Sequence, residues 1–447
     1  MKIVVISRSD STGGAAIVSR RLTEALRQQD IKAGMLVLEK RTDLPYIVEA
    51  RYPFWEPYAF LRERAQIFLH NGFSKENLWK ADTAQFGLPL WEHPMVLEAD
   101  AIILNYVNQG MLSLDGIAKM SPPGKRVIWT MHDMWNLTGV CHHAMDCTRY
   151  REQCGCCPIL KSKSPSDLSH ATWARKDRMY RETNIKFVAV SRWLASKASE
   201  SSLFKEREVT VIPNPFEPAE TPKRRRESSR RILFAAATLD NWIKGLSTFK
   251  ESVRIFKEKF PSLAKNAEVV LMGAVKNPAN LEGFALPTVI KGSVSSEAGL
   301  AEVYSGCDVI VNSSYFENLP GTLVEGQAYG VVPVAFDRGG QRDIIDHKAT
   351  GYLAQWNDNE HERASRLAEG IAFALRELSG DPEAIRERML ESVRSRFSYK
   401  AVAEKYLSIL APLGPPRGGI DGAALRGVRF SETHKIGMDS MSSPILT

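Results

Sequence analysis

Short apolar runs rich in β-branched residues recur along this chain, and an amphipathic stretch follows almost every one. Lys2-Ile3-Val4-Val5-Ile6 is the first run. Residues 15–28 come next, with Ile17, Val18, Leu22, Ala25 and Leu26 at helical spacing on one face. Runs at 35–38, 101–104, 127–130, 187–190 and 209–212 repeat the strand pattern. Strands that are apolar at consecutive positions must be buried on both faces. The spacing therefore predicts parallel sheets covered by helices on both sides, an α/β architecture.

The alternation breaks at Pro213. Pro213-Asn214-Pro215-Phe216-Glu217-Pro218 cannot be regular structure, because each proline removes a backbone donor and fixes φ. A charged run from Lys223 to Arg231 follows, and the strand pattern restarts at Ile232. The chain thus reads as a first Rossmann-like domain over 1–213, a linker over 214–230 and a second Rossmann-like domain over 231–396. In the second domain, strands are expected at 232–236, 269–272, 309–312 and 332–335. Helices are expected at 246–259, 297–305, 323–329 and 360–378. A last helix over 399–410, within the segment 397–411, starts after Ser398, a good N-cap residue. Residues 412–447 are rich in Gly, Pro and Ser and lack periodicity, which predicts a disordered tail.

A length of 447 residues suits two such domains. No apolar run approaches the roughly 20 residues of a membrane-spanning helix. The first strand pattern opens almost at the first residue with no leader-like stretch, so a cytoplasmic protein is expected. The net charge of +7 fits anionic small substrates or an anionic lipid surface. Neither an aromatic-basic RNA signature nor zinc-finger spacing is found, so nucleic acid is not an expected partner. Residues 45–95 depart from the sheet pattern and are dense in aromatics, among them Tyr46, Phe54, Trp55, Tyr58, Phe73 and Trp79. Such density reads as packed helices, or as an insertion that touches an acceptor or a membrane.

The chemistry concentrates after the run Val309-Ile310-Val311-Asn312. Glu317 precedes the loop Asn318-Leu319-Pro320-Gly321, a helix starts near Gly321 or Thr322, and Glu325 lies early in it. Open α/β sheets bind ligands at the carboxyl ends of their strands. A helix N-terminus there offers free N–H groups and a positive dipole end to a phosphate. Glu325 is suited to accept hydrogen bonds from sugar hydroxyls.

Two glutamates with seven residues between them in this setting resemble the hallmark of the retaining family 4 glycosyltransferases, which have the two-domain GT-B architecture. Other segments carry the same resemblance: Gly13-Gly14, Thr130-Met131-His132-Asp133, Pro213-Asn214, Lys244-Gly245, and Arg338-Gly339-Gly340-Gln341-Arg342-Asp343. The run from His132 to Gly139 with its following Cys-rich segment is most similar to the colanic-acid and exopolysaccharide branch. The resemblance covers about residues 1–411. It implies a retaining hexosyl-type transferase that moves a sugar from a nucleotide-sugar donor to a lipid-linked or growing glycan acceptor. It implies that Glu325 binds the ribose, Glu317 sits at the reacting centre, Lys244 neutralises the diphosphate and His132 touches the transferred sugar or assists near the acceptor. Asn318, Leu319, Pro320, Gly321, Thr322, Gly339, Gly340 and Arg342 would line the donor site. Gly13, Gly14 and Asp133 would belong to a donor or acceptor loop, and the last helix would cross back to the first domain. With such an acceptor, the basic charge and the aromatic insertion at 45–95 would favour peripheral contact with the inner face of the cell membrane.

Two departures stand out. Many relatives carry an Arg shortly before the Lys-Gly, where this chain has Ala236-Ala237-Thr238-Leu239; Arg342 is the cation offered in its place. Gly326 stands where Ala is usual. No catalytic metal is expected, since the paired-aspartate motif of metal-dependent transferases is missing from both domains. Cys141, Cys147, Cys154 and Cys157, in the loop 141–157, have spacing that suits a structural zinc, reduced thiols packing a loop, or redox chemistry. Three rivals differ in chemistry: a nucleotide-sugar epimerase of the same fold, a non-catalytic scaffold and an NAD-dependent oxidoreductase. The last lacks its Gly-x-Gly-x-x-Gly turn, since Asp10-Ser11-Thr12-Gly13-Gly14 follows the first strand.

Overall fold

The first seven strands are β1 (Lys2–Ile6), β2 (Lys32–Val37), β3 (Ile47–Glu49), β4 (Ala101–Leu104), β5 (Arg126–Met131), β6 (Lys186–Ala189) and β7 (Val209–Val211). They form one parallel sheet in the order β3-β2-β1-β4-β5-β6-β7 in the computed structural model, which describes residues 1–218 and 230–411. Val4 of the central β1 lies opposite Gly34 on one side and Ile102 on the other. Alternate residues feed two cores. Val4, Ile6, Ile102 and Trp129 enter one. Ile3, Val5, Ile103 and Ile128 enter the other, against Leu22, Ala25 and Leu26 of the helix Gly14–Arg27.

The helix Tyr399–Leu410 completes that second core with Tyr399, Val402, Ala403, Tyr406 and Leu410. Arg126 and Lys186 donate to the carbonyls of Leu410 and Ile409, each at 2.7 Å, so cations hold the negative end of the helix dipole. The last helix therefore belongs to the first sheet, although it follows the second domain in sequence.

The second sheet comprises β8 (Arg230–Thr238), β9 (Ala267–Ala274), β10 (Thr288–Gly292), β11 (Val309–Asn312), β12 (Val332–Phe336) and β13 (Tyr352–Ala354). Its order is β10-β9-β8-β11-β12-β13, again parallel. The helices Leu246–Lys259 and Glu360–Gly380 cover one face, and Gly321–Ala328 and Pro382–Phe397 cover the other. The expected fold class, two parallel-sheet Rossmann-like domains, is the one the chain adopts.

Several boundaries differ from the sequence reading. β8 already starts at Arg230, inside the charged run. Residues 219–229 of the expected linker and the expected tail 412–447 lie outside the described residues. The helix over 323–329 starts at Gly321, as its loop context led one to expect, and ends at Ala328, whereas β3, β10 and β13 were not anticipated. In the aromatic stretch, Trp55–His70 is a helix that buries Ala59, Glu63, Arg64 and Ile67. Its aromatics mostly face outward: Phe54 is 86% exposed, Trp55 63%, and the nearby Trp79 60%. No helix among the described residues is long and apolar enough to cross a membrane.

Candidate functional site

In both sheets the loops at the carboxyl ends of the strands hold the candidate residues, and loops of the two sheets meet where Asn318 reaches the His132 carbonyl. After β8, the turn Trp242–Lys244 ends at Gly245, whose φ of 67° is left-handed. A Cβ on Gly245 would stand 2.2 Å from the carbonyl oxygen of Ser313, so only glycine lets this turn lie against the loop after β11. Ser313 Oγ donates to the carbonyls of Lys244 and Gly245 at 3.0 and 2.8 Å. These contacts aim Lys244, and its Nζ meets Glu317 Oε1 at 2.6 Å. After β12, Gly339 and Gly340 press on the same loop. A Cβ on Gly340 would fall 1.5 Å from the Asn318 carbonyl. Beyond Asn318, the helix Gly321–Ala328 starts without a side-chain cap, so its first N–H groups are uncommitted to any capping side chain. Leu319 is buried beneath, while Pro320 precedes the helix and Thr322 follows its first residue.

The first domain meets this loop. Asn318 Nδ2 donates to the His132 carbonyl at 2.8 Å, and Ser191 Oγ donates to Asn318 Oδ1. Arg192 pairs with Asp343 at 2.6 Å. His132 Nε2 is bonded to Asn105 Oδ1 at 2.8 Å, and burial lowers its pKa to about 4 despite the charge of Asp133, so the ring is neutral near pH 7. Asp133 accepts from the Trp135 N–H and from His142 Nδ1, both at 2.8 Å. His142 Nε2 reaches Asp82 Oδ2 at 2.6 Å. Burial alone would depress the His142 pKa, but the charges and hydrogen bonds of Asp133 and Asp82 outweigh it and raise it to about 10. Burial likewise opposes ionisation of Asp133, yet His142 and the Trp135 N–H bring it down to about 2. Arg64 and Glu63, on the helix Trp55–His70, extend this buried network from Asp82.

Glu325 is held from both domains. Arg21 Nη1 donates to its Oε1 at 2.9 Å and Tyr304 OH to its Oε2 at 2.8 Å. Glu317, Lys244, Asn318, His132, Gly339 and Gly340 are thus brought together. Gly13 has φ of 89° and caps the helix Gly14–Arg27, while a Cβ on either Gly13 or Gly14 would touch no protein atom. Arg342, the cation offered in place of the missing one, is exposed and paired with Asp337 at 3.0 Å. The sequence reading missed Arg21, Tyr304, Asn105, Asp82, Ser191 and Phe316. Only Arg21 had a usable signal, since it lies seven residues after Gly14 and therefore on the same helix face. Phe316 packs edge-on against His143 at 4.7 Å and Trp193 at 5.1 Å.

Cys141, Cys147, Cys154 and Cys157 line one cavity of about 30 Å³. Cys154 Sγ accepts the Gly139 N–H at 3.1 Å. Among the described residues, no three or more His, Cys, Asp or Glu side chains are grouped so as to hold a metal ion. The fully buried Lys176 donates to the Thr138 carbonyl at 3.0 Å and so ties this loop to the helix Leu168–Glu182.

Residues 229–372 match the family model described as glycosyl transferases group 1. Over 240 residues the chain is 24% identical to the putative colanic acid biosynthesis glycosyl transferase WcaC of Escherichia coli, covering 51% of this chain and 56% of that one. The chain spans little more than half the length of that curated relative, and about a third of the others it matches. A glycosyltransferase from Rickettsia africae superposes with a TM-score of 0.57 at 15% identity, over 92% of this chain and 97% of that one. HepE of Anabaena, solved in complex with UDP, superposes with a TM-score of 0.55 at 13% identity, over 92% of this chain and 99% of that one. At such identities the likeness is one of fold.

Proposed function

From the premise of a group 1 glycosyltransferase domain at residues 229–372 in a GT-B fold, we propose that this protein transfers a sugar from a nucleotide-sugar donor to a glycan or lipid-linked acceptor. The supporting observation is the pairing of Lys244 with Glu317 beside the uncapped start of the helix Gly321–Ala328, with Asn318 joined to His132 across the cleft. A departing nucleoside diphosphate gains negative charge. Lys244 and the helix N-terminus supply fixed positive potential for it, so the step needs no metal. Glu325 receives the ribose hydroxyls. Glu317 holds Lys244 at 2.6 Å and lies beside the transferred sugar. Neutral His132 contributes a hydrogen bond through Nδ1 and carries no charge. We propose retention of configuration with a hexosyl donor, from the resemblance carried by Glu317 and Glu325, and a polysaccharide as the product, by likeness to the putative colanic acid biosynthesis glycosyl transferase WcaC. The exposed aromatics around Trp55 support peripheral contact with an anionic membrane.

The decisive assay incubates the protein with labelled nucleotide sugars, with and without lipid-linked glycan acceptors. Labelled glycan, formed only when acceptor is present, is the expected product. Lys244→Ala should slow it on the order of 100-fold, the loss typical of one charge-stabilising group. An altered nucleotide sugar formed from donor alone would establish the epimerase instead. No turnover, with biological function kept in Lys244→Ala, would establish the scaffold. A structural zinc on Cys141, Cys147, Cys154 and Cys157 also remains a proposal. One zinc per purified chain would support it, and a metal-free chain of equal stability would leave reduced thiols packing the loop.

A further inference from the structure

The carboxylate of Glu325 is fixed more tightly than a surface glutamate needs to be. Its side chain and that of Arg21 are each 14% exposed. Arg21 Nη1 holds Oε1 from the first domain and Tyr304 OH holds Oε2 from the second. The guanidinium lies over the ring of Phe216 at 4.6 Å, and Tyr304 stacks on Tyr329 at 5.7 Å with rings nearly parallel. Burial, and then the charge of Glu325, keep the Tyr304 phenol protonated and therefore a donor. Nε and Nη2 of Arg21 have no hydrogen-bond partner among the described residues. A carboxylate offers about four lone-pair positions, and Arg21 and Tyr304 take one on each oxygen. One position on each oxygen is left, and its direction is set by the donor already in place. Two acceptors side by side on one carboxylate suit two vicinal hydroxyls.

We propose that Arg21, assisted by Tyr304, is a positioning residue for nucleotide recognition: it orients Glu325 so that its remaining lone pairs receive the 2′- and 3′-hydroxyls of the ribose. This inference rests on the reading of Glu325 as the ribose acceptor. Arg21 sits on the helix that begins at Gly14, whereas Glu325 belongs to the second domain. Nucleotide recognition in the second domain therefore depends on contact with the first. A ribose that simply displaced Arg21 would have the opposite consequence, since removing Arg21 would then tighten binding.

The test is calorimetric titration of the full-length protein with UDP, GDP and ADP, then with the 2′,3′-dideoxy form of whichever binds. Wild type should prefer the ribonucleotide by about tenfold or more, the worth of one or two good hydrogen bonds. Arg21→Ala should reduce that preference to about twofold, weakening the ribonucleotide while leaving the dideoxy affinity unchanged. Arg21→Lys restores charge without the planar fork and should recover only part of the preference. Tyr304→Phe should lower it in the same direction, and it carries the test if Arg21→Ala does not fold. Tighter ribonucleotide binding by Arg21→Ala would overturn the proposal, as would equal losses for both nucleotides. If Glu325→Ala keeps the wild-type preference, or wild type binds none of the three nucleotides, the ribose reading itself fails.

Discussion

His142 stands between two carboxylates, Asp133 and Asp82, and its charge is part of the native structure. The sign of its pH dependence follows. Its folded pKa of about 10 lies above the ordinary value near 6.5, so its stabilisation is complete below about pH 6.5 and is lost as pH rises towards 10. Asp133 acts oppositely: its folded pKa of about 2 gives stability that is complete above about pH 4 and is lost as pH falls towards 2. Denaturant titrations across pH should therefore show an alkaline decline that His142→Gln removes. That variant should also lose ~3 kcal/mol near pH 6, because the buried Asp82 and the half-buried Asp133 lose the charge between them. An alkaline limb unchanged in the variant would contradict this. His142 was visible in the sequence only as a neighbour of cysteines. Asp82 lies sixty residues away, and no spacing rule reaches that far. By contrast, the departure at Gly326 has a local reason: a Cβ there would stand 2.9 Å from Ile310 Cγ2, so alanine would press on β11.

At the level of elements, the central strands were legible because they are apolar at consecutive positions. β1, β4 and β11 coincide with their runs, and the helices Leu246–Lys259, Glu297–Ser305 and Tyr399–Leu410 with their periodicities. β3 and β13 have three residues each, and β10 leaves Ile290 and Lys291 exposed, so none carries a buried-strand signal. The aromatic stretch deceived in another way. Aromatic density suggests core, yet the helix Trp55–His70 buries a charged pair, Glu63 and Arg64, and turns Phe54, Trp55 and Tyr58 outward. Its buried pair is explained by Asp82 and the backbone of Thr83 and Ala84, which only the fold supplies. The outward rings give the membrane proposal its test. Wild type should float with anionic vesicles in a salt-sensitive manner, and a Phe54→Ser, Trp55→Ser, Trp79→Ser triple variant should remain in the soluble fraction. Equal flotation of both, or of neither, would remove this surface from the account.

For the whole molecule, the family motifs indicated which loops carry chemistry but not how the two domains meet. Polar contacts cross the cleft, among them Arg21 with Glu325, Asn318 with the His132 carbonyl, and Arg192 with Asp343. Each of these three joins residues more than 150 positions apart, and none is written in local composition. The Asn318 contact joins the loop from Glu317 to Gly321 of the second sheet to the strand-end loop of the first. The most direct measurement is the thermal stability of the protein with a panel of nucleotides and nucleotide sugars, for wild type and Glu325→Ala. A ligand at 100 times its dissociation constant stabilises a native protein by about 2.7 kcal/mol. One nucleotide class should raise the wild-type midpoint and leave Glu325→Ala unmoved. A wild type that no nucleotide or nucleotide sugar stabilises would contradict the donor site and, with it, the proposed transferase.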